Sequence, residues 1–294
     1  MRKIILLLSV SSFLTLAACS SHSGKSVFDP TDVGQDIDST APGTQEPTSD
    51  INSPSQDNGL ESAPVAPFPE DAQKFNQAWK RTDTALLLDC YQGNSINWDK
   101  VSTDKRVVGV IHRATIGLRV DAKFAERKDI ADRKGFLWGG YHLGKPGDPI
   151  QQAQLFLKTI GDTQNTLMVL DLEDTSDKNM MGIADAQKFM QYVYEQTGKM
   201  PVVYANHIVT KALSDSFKSD PYFRASRLWY ARFRTSIPDF PNSLWPTYFI
   251  WQFSSAINCA KTGSCLYNVP GTDRYIDVNV FYGTKEALRQ QWTL

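Results

Sequence analysis

The chain lacks the features that announce several common functions. Its 294 residues hold only four cysteines and four histidines, with no second Cys pair and no spaced His cluster, so no recurrent metal-ligand pattern is present. No apolar run leads into GxGxxG or GxxxxGK[ST], which leaves nucleotide binding without a motif. Aromatic residues are almost missing from the first 70 positions: all seven Trp and all eleven Tyr follow Glu70. A large charge of one sign is missing too, but the net charge of -1 averages two unlike parts. From Ser20 to Glu70 nine acidic residues face one base, Lys25. After Glu70, 28 Lys and Arg stand against 23 Asp and Glu, a net +5. That excess is well short of a dedicated nucleic-acid binder, and no nucleic acid is expected as a partner. What is there instead is an aromatic-rich stretch of about 220 residues, long enough to bury a large core.

Arg2 and Lys3 precede the apolar run Ile4 to Ala18. This run is shorter than the roughly 20 residues a permanent membrane helix needs, and its layout is that of a secretory signal over residues 1–18. The mature protein is therefore expected to be exported. Leu16-Ala17-Ala18-Cys19 resembles the lipobox of bacterial lipoproteins, in which the cysteine is lipidated after cleavage. The resemblance implies a membrane anchor at Cys19 and, with Ser20 rather than Asp after it, an outer-membrane lipoprotein of a Gram-negative bacterium, with the periplasmic face expected. Residues 19–70 are expected to form the lipidated cysteine and a disordered acidic linker, because so few apolar residues cannot offset the entropy of ordering. As a coil the linker spans on the order of 40 Å. The folded domain is placed at 71–294.

In an oxidising compartment Cys259 and Cys265 are expected to close a small disulfide loop; a zinc site is the alternative. Cys90 reads as a buried small apolar residue.

From Ala85 onward eight β-rich runs recur: 85–89, 107–113, 137–143, 166–172, 201–204, 228–233, 248–253 and 275–281. Helical patterns lie between most of the first six, at Asp121 to Lys134, Pro149 to Ile160, Ile183 to Thr197 and His207 to Phe217. The last three strands are joined by Pro- and Gly-rich loops. Alternation predicts parallel pairing in an α/β fold, and eight strands predict a closed, flattened TIM-like β/α barrel, with a doubly wound open sheet as the alternative. In such a barrel the chemistry sits at the C-terminal strand ends. Those ends hold Asp89, Arg113, Tyr141, Asp171 with Glu173, Tyr204, Tyr230, Trp251 with Gln252, and Asp277. Carboxylates for proton transfer beside aromatic faces for sugar rings are what a glycan-cleaving cleft needs.

The strongest local signal is Thr166 to Asp174, an apolar strand running into Asp171-Leu172-Glu173. Residues two apart on a strand share a face, about 6.6 Å apart. Paired carboxylates at a barrel mouth repel and are partly desolvated, which raises one pKa and leaves the other group ionised. A solvated strand end carrying charges by chance and a magnesium site remain alternatives at this point.

Eight motifs, in order, resemble glycoside hydrolase family 25, lysozymes that cut the β-1,4 link between N-acetylmuramic acid and N-acetylglucosamine in peptidoglycan. They are Tyr91-Gln92-Gly93 with Ile96-Asn97-Trp98, Ile111-His112-Arg113-Ala114-Thr115, Gly139-Gly140-Tyr141-His142-Leu143 with Gln152, Ala153 and Phe156, Leu170-Asp171-Leu172-Glu173, Val203-Tyr204-Ala205-Asn206, Leu228-Trp229-Tyr230-Ala231, Ile250-Trp251-Gln252-Phe253, and Ile276-Asp277-Val278-Asn279. The resemblance implies an exported N-acetylmuramidase that retains configuration and needs no cofactor or metal. It implies Glu173 as general acid, Asp171 as the stabilising carboxylate, and Asp89 and Asp277 as supporting carboxylates. Tyr141, Tyr204, Tyr230, Trp251, Gln252 and Arg113 are the implied substrate contacts. Peptidoglycan glycan strands are the expected partner, and a monomer is expected to suffice. Two departures stand out. Asp89 lies three residues before Gln92 where the family usually has five, with Leu87 in the usual place; a shift of two keeps the same strand face. Ile116 replaces the usual acidic residue after Ala-Thr, and Arg113 the usual Lys. Two other readings share the pattern: a catalytically silent peptidoglycan-binding lipoprotein, and a hydrolase of another N-acetylated glycan such as chitin.

Overall fold

Runs of β-branched, aliphatic and aromatic residues form the eight strands expected from the sequence, together with one short addition. In chain order they are β1 (Ala85–Cys90), β2 (Val107–Ile116), β3 (Arg119–Val120), β4 (Leu137–Leu143), β5 (Leu167–Leu172), β6 (Val202–Asn206), β7 (Leu228–Ala231), β8 (Ile250–Ser254) and β9 (Asp277–Phe281). The computed structural model describes residues 75–175, 178–256, 266–274 and 276–294. The signal segment, Cys19, the linker and the Cys259–Cys265 pair lie outside the described residues.

β1 pairs with β2, and the order continues β4, β5, β6, β7, β8 and β9 back to β1, closing an eight-stranded α/β barrel. The extra strand β3 turns back antiparallel on the end of β2. Seven barrel strands are mutually parallel, but β9 is antiparallel to both β8 and β1. All-parallel pairing therefore holds only up to β8. One consequence is that Asp277 stands at the start of its strand rather than the end, yet at the same barrel mouth, directly across the ladder from Asp89.

Alternation along each strand makes two cores. Inward residues such as Leu87, Ile111, Val169, Val202, Ile250 and Phe281 fill the barrel, with Leu288 and Trp292 packed among them. Outward residues such as Leu88, Leu170, Val203 and Phe253 meet Phe156, Phe189 and Met190 from the helices. The helices are α1 (Trp98–Val101), α2 (Phe124–Lys134), α3 (Pro149–Ile160), α4 (Ile183–Thr197), α5 (His207–Ser216), α6 (Pro221–Ala225) and α7 (Lys285–Gln291). Asp148 caps α3 by accepting from the amides of Ile150 and Gln151, with Pro149 in the first turn. Gly198, at φ 71°, ends α4 in the left-handed conformation glycine favours. α2 starts at Phe124, three residues later than its pattern, because the Asp121 carboxylate is committed to the amides of Gln92 and Lys123. Cys90 is buried at 2% exposure, and burial pushes its thiol pKa well up. No helix among the described residues is long and apolar enough to cross a membrane.

Candidate active site

The barrel mouth opens as a cleft of about 300 Å³ whose walls include Asp89, Asp171, Glu173 and Asp277. Tyr141, Tyr204 and Trp229 line it as well, with Tyr91 and Asn94 from the loop after β1. Period-two geometry explains the assembly. On β5 Leu167 and Val169 point inward, so Asp171 does too, and Glu173 continues past the strand end into the opening. On β1 the inward series Ala85, Leu87 reaches the cleft at Asp89, so the two-residue shift leaves this carboxyl on the cleft side, with Leu87 deeper in the barrel.

A buried polar layer supports the carboxyls. Gln252, fully buried, accepts a 2.8 Å hydrogen bond from the Tyr204 hydroxyl and donates through Nε2 to Asp89 at 2.7 Å, with Asp277 at 3.5 Å. Beside it across the ladder, Asn279 accepts from the Trp229 indole N–H at 2.8 Å and donates to the Leu87 carbonyl at 3.2 Å. The rings of Tyr204 and Trp229 meet edge to face with centroids 4.8 Å apart. A fully bonded layer of this kind holds the side chains above it in fixed rotamers.

All four carboxyls are held above the ordinary range. Burial is the main cause for Asp89, whose pKa is raised well up, followed by the charges of Asp277 and Glu173. Burial likewise raises Asp171 strongly, followed by Glu173 and Asp89. Asp277 is pushed up to about 7 by burial and then by Glu173. Glu173 is raised by desolvation and drawn back by the Lys145 ammonium; it is open to water at the mouth yet crowded by cleft walls. Repulsion thus does not leave one partner unshifted: the deeper Asp171 moves strongly and Glu173 moves also. The buried Oδ1 of Asp171 has no hydrogen-bond partner among the described residues. No group of three or more His, Cys, Asp and Glu among the described residues is arranged to hold a metal ion.

The neighbouring residues fix the end of β5 and the segment that carries Glu173. Asn206 ends β6 and caps α5 through Oδ1 to the Val209 amide, while its Nδ2 donates to the Glu173 carbonyl at 2.8 Å. His142 of β4 is buried and neutral, its pKa lowered to about 4 by desolvation, with Thr115 on Nδ1 and Gln152 on Nε2.

Four expected substrate contacts stand elsewhere, Gln252 among them, since it is fully buried in the layer that supports the carboxyls. Tyr230 and Trp251 point outward into the layer under the helices: the Tyr230 hydroxyl meets His207 Nδ1 at 2.6 Å, and the Trp251 indole donates to the Arg232 carbonyl at 2.7 Å. The register explains both, since Tyr230 pairs with Trp251 on the outer face while inward Tyr204 pairs with Trp229. The cleft aromatic of β7 is therefore Trp229, one residue earlier, and counting the period from Tyr204 across the ladder finds it. Arg113 stands behind the cleft, paired with Asp121 at 3.0 Å, and its charge reaches Asp89 and Asp171 only through space.

A profile of the glycosyl hydrolases family 25 matches residues 88–262, more than half of the chain. The chain belongs to glycosyl hydrolases family 25. It is a glycoside hydrolase. Among solved structures it is similar to the bacterial lysozyme from Streptomyces coelicolor, at 24% identity and TM-score 0.58, covering 72% of this chain and 99% of that one. A muramidase from Acremonium alcalophilum aligns at 22% identity and TM-score 0.56, over 71% of this chain and 99% of that one. The family GH25 lysozyme from Aspergillus fumigatus aligns at 23% identity and TM-score 0.55, over 70% of this chain and 98% of that one. At these identities the likeness shows a shared fold. No curated protein matches the sequence. For this family 25 chain, the carboxyl cluster and the aromatic walls lie together at the barrel mouth where glycoside chemistry calls for them.

Proposed function

We propose that the protein is an exported peptidoglycan hydrolase that cleaves the β-1,4 bond between N-acetylmuramic acid and N-acetylglucosamine with retention of configuration. The observation that carries this reading is the pairing of a mouth carboxyl, Glu173, with a buried one, Asp171, whose Oδ1 has no partner among the described residues. Lysozymes and muramidases among the similar folds support the choice of glycan.

Glu173 is exposed at the mouth. A glycan lying across the mouth shields it from solvent, which strengthens the preference for the neutral acid and keeps a proton for the leaving oxygen. The unpartnered Asp171 oxygen accepts the acetamido N–H of the sugar. As positive charge grows at the anomeric carbon, it favours the ionised form of Asp171, which then balances that charge or orients the acetamido oxygen for attack. Asp89 and Asp277, tied through Gln252, keep the sugar side of the cleft polar and hold Asp171 within a shared electrostatic unit. The wild-type protein should release new reducing ends from purified peptidoglycan, with mass spectrometry showing fragments that end in N-acetylmuramic acid. Binding without release, or release from chitin alone, overturns the muramidase reading.

The same proposal places the mature protein on a lipid at Cys19, at the outer membrane, with the acidic segment as a tether of about 40 Å. Cys19→Ala should then move it from the membrane to the soluble fraction, and unchanged fractionation overturns the anchor.

A further inference from the structure

We infer that Tyr91 is a specificity-determining residue for the glycan, its ring held in a set pose by Arg113 and Gly93 and its backbone positioned by Arg127. The inference rests on the glycan-hydrolase reading and adds the side of the cleft that grips an N-acetylated pyranose ring. Tyr91 is 43% exposed and lines the cleft together with Asn94, Asp171 and Glu173. Among the described residues it is the one aromatic in the set of exposed large hydrophobic side chains.

An exposed tyrosine on a loop ordinarily samples several rotamers. This one is confined on several sides. The Arg113 guanidinium carbon sits 4.7 Å from the ring centroid, and that guanidinium cannot swing away because Nε and Nη2 both hold Asp121 Oδ2 at 3.0 Å. The same Asp121 oxygen accepts the Gln92 amide, so the clamp and the loop share an anchor. The ring also lies against Gly93: a Cβ there would come within 2.5 Å of Tyr91 Cε2. From α2, Arg127, 4% exposed, donates through Nη1 to the Tyr91 carbonyl at 2.8 Å and through Nη2 to the Asn94 carbonyl at 2.5 Å. Its Nη1 also meets His112 Nε2 at 3.0 Å, while His112 Nδ1 faces the Arg113 carbonyl at 2.8 Å. Tyr91 N in turn donates to Asn94 Oδ1 at 2.8 Å, closing the loop on itself. Burying a guanidinium is costly, and here it fixes the two carbonyls that aim this wall. An aromatic surface immobilised before the ligand arrives loses little entropy on stacking, which suits recognition of the apolar face of a sugar ring.

The test uses the full chain. On peptidoglycan, Tyr91→Ala should raise KM about tenfold, with kcat moving less, whereas Tyr91→Trp should keep most of the affinity. Gly93→Ala is a one-carbon change at an exposed position that pushes the ring out of its pose; it should raise KM by a similar factor without altering the thermal melt. Because Gly93 acts on the glycan through the Tyr91 ring, Gly93→Ala should add nothing further to Tyr91→Ala in the double variant. Calorimetric titration of soluble peptidoglycan glycan fragments into Glu173→Gln, with and without Tyr91→Ala, reads the same loss without turnover. An active enzyme whose KM and fragment affinity ignore Tyr91→Ala, or a double variant whose losses simply add, overturns this inference alone. A wild type that releases no reducing ends while its fragment binding still depends on Tyr91 overturns the hydrolase reading and supports this one.

Discussion

Glu173 and Asp171 carry the same functional group but stand in different places, and the proposed division of their work rests on that difference. Asp171 is 6% exposed on the inner barrel face, while Glu173 stands beyond the strand end where substrate arrives. Glu173→Gln keeps size and shape and removes the transferable proton, so turnover should fall by at least about 10²- to 10⁴-fold while glycan binding survives. Asp171→Asn should be comparably severe, because an amide cannot balance a growing positive charge; retained turnover in either variant, measured as reducing ends released, contradicts the assignment. The sign of the pH dependence follows from the raised Glu173 pKa. Activity should be retained above the ordinary glutamate value and fall as pH rises through the shifted one, and residual activity of the Gln variant should lack that alkaline limb.

At the scale of elements, the ends of strands were legible from sequence, whereas the direction in which each end residue points was less so. Asp89, Tyr141, Asp171, Tyr204 and Asp277 could be placed at the barrel mouth because apolar runs broke into polar or aromatic residues there, whereas Gln252, expected to meet substrate, is buried beneath the carboxyls. Tyr230 and Trp251 could not be placed, because on strands apolar on both faces an aromatic reads the same inward or outward. Only the ladder register separates them. The antiparallel turn of β9 was hidden for a related reason, since no helical pattern is required for a strand that returns through a loop. Trp251→Phe should therefore lower the melting temperature with little change in KM, and Trp229→Phe should raise KM, as steady-state kinetics and thermal melts would show. Asn206 joins two elements and its two jobs can be separated. Asn206→Asp keeps an oxygen to cap α5 but loses the N–H that holds the Glu173 carbonyl. Its thermal melt should stay near wild type, while kcat/KM drops about tenfold, the equivalent of one hydrogen bond. An equal loss of stability would mean that the cap rather than the tie to Glu173 is what matters.

Over the whole molecule, the cleft works against the fold's own stability. Asp89 and Asp277 face each other across one antiparallel pair, with Glu173 and Asp171 in the same field, an arrangement that destabilises a ladder unless protons are shared. A carboxyl whose pKa rises on folding favours the fold fully below its unfolded value and loses that contribution as pH climbs through the folded one. For Asp277 the window runs from its ordinary 3.8 to about 7. The buried imidazoles of His112 and His142, lowered to about 4, act oppositely in the same window, since neutral histidine stabilises above its unfolded pKa and is lost as pH falls. The wild-type curve alone is therefore ambiguous, but Asp277→Asn leaves both histidines in place and isolates the carboxyl. The variant should melt like wild type near pH 4 and gain progressively up to pH 7, reaching on the order of 4 kcal/mol, or roughly ten degrees in a domain of this size. Activity on peptidoglycan should fall in the same variant, as expected where a strained site is kept for its chemistry. A melting difference that is flat with pH, or that shrinks toward neutrality, shows instead that Asp277 is ionised and satisfied in the resting cleft.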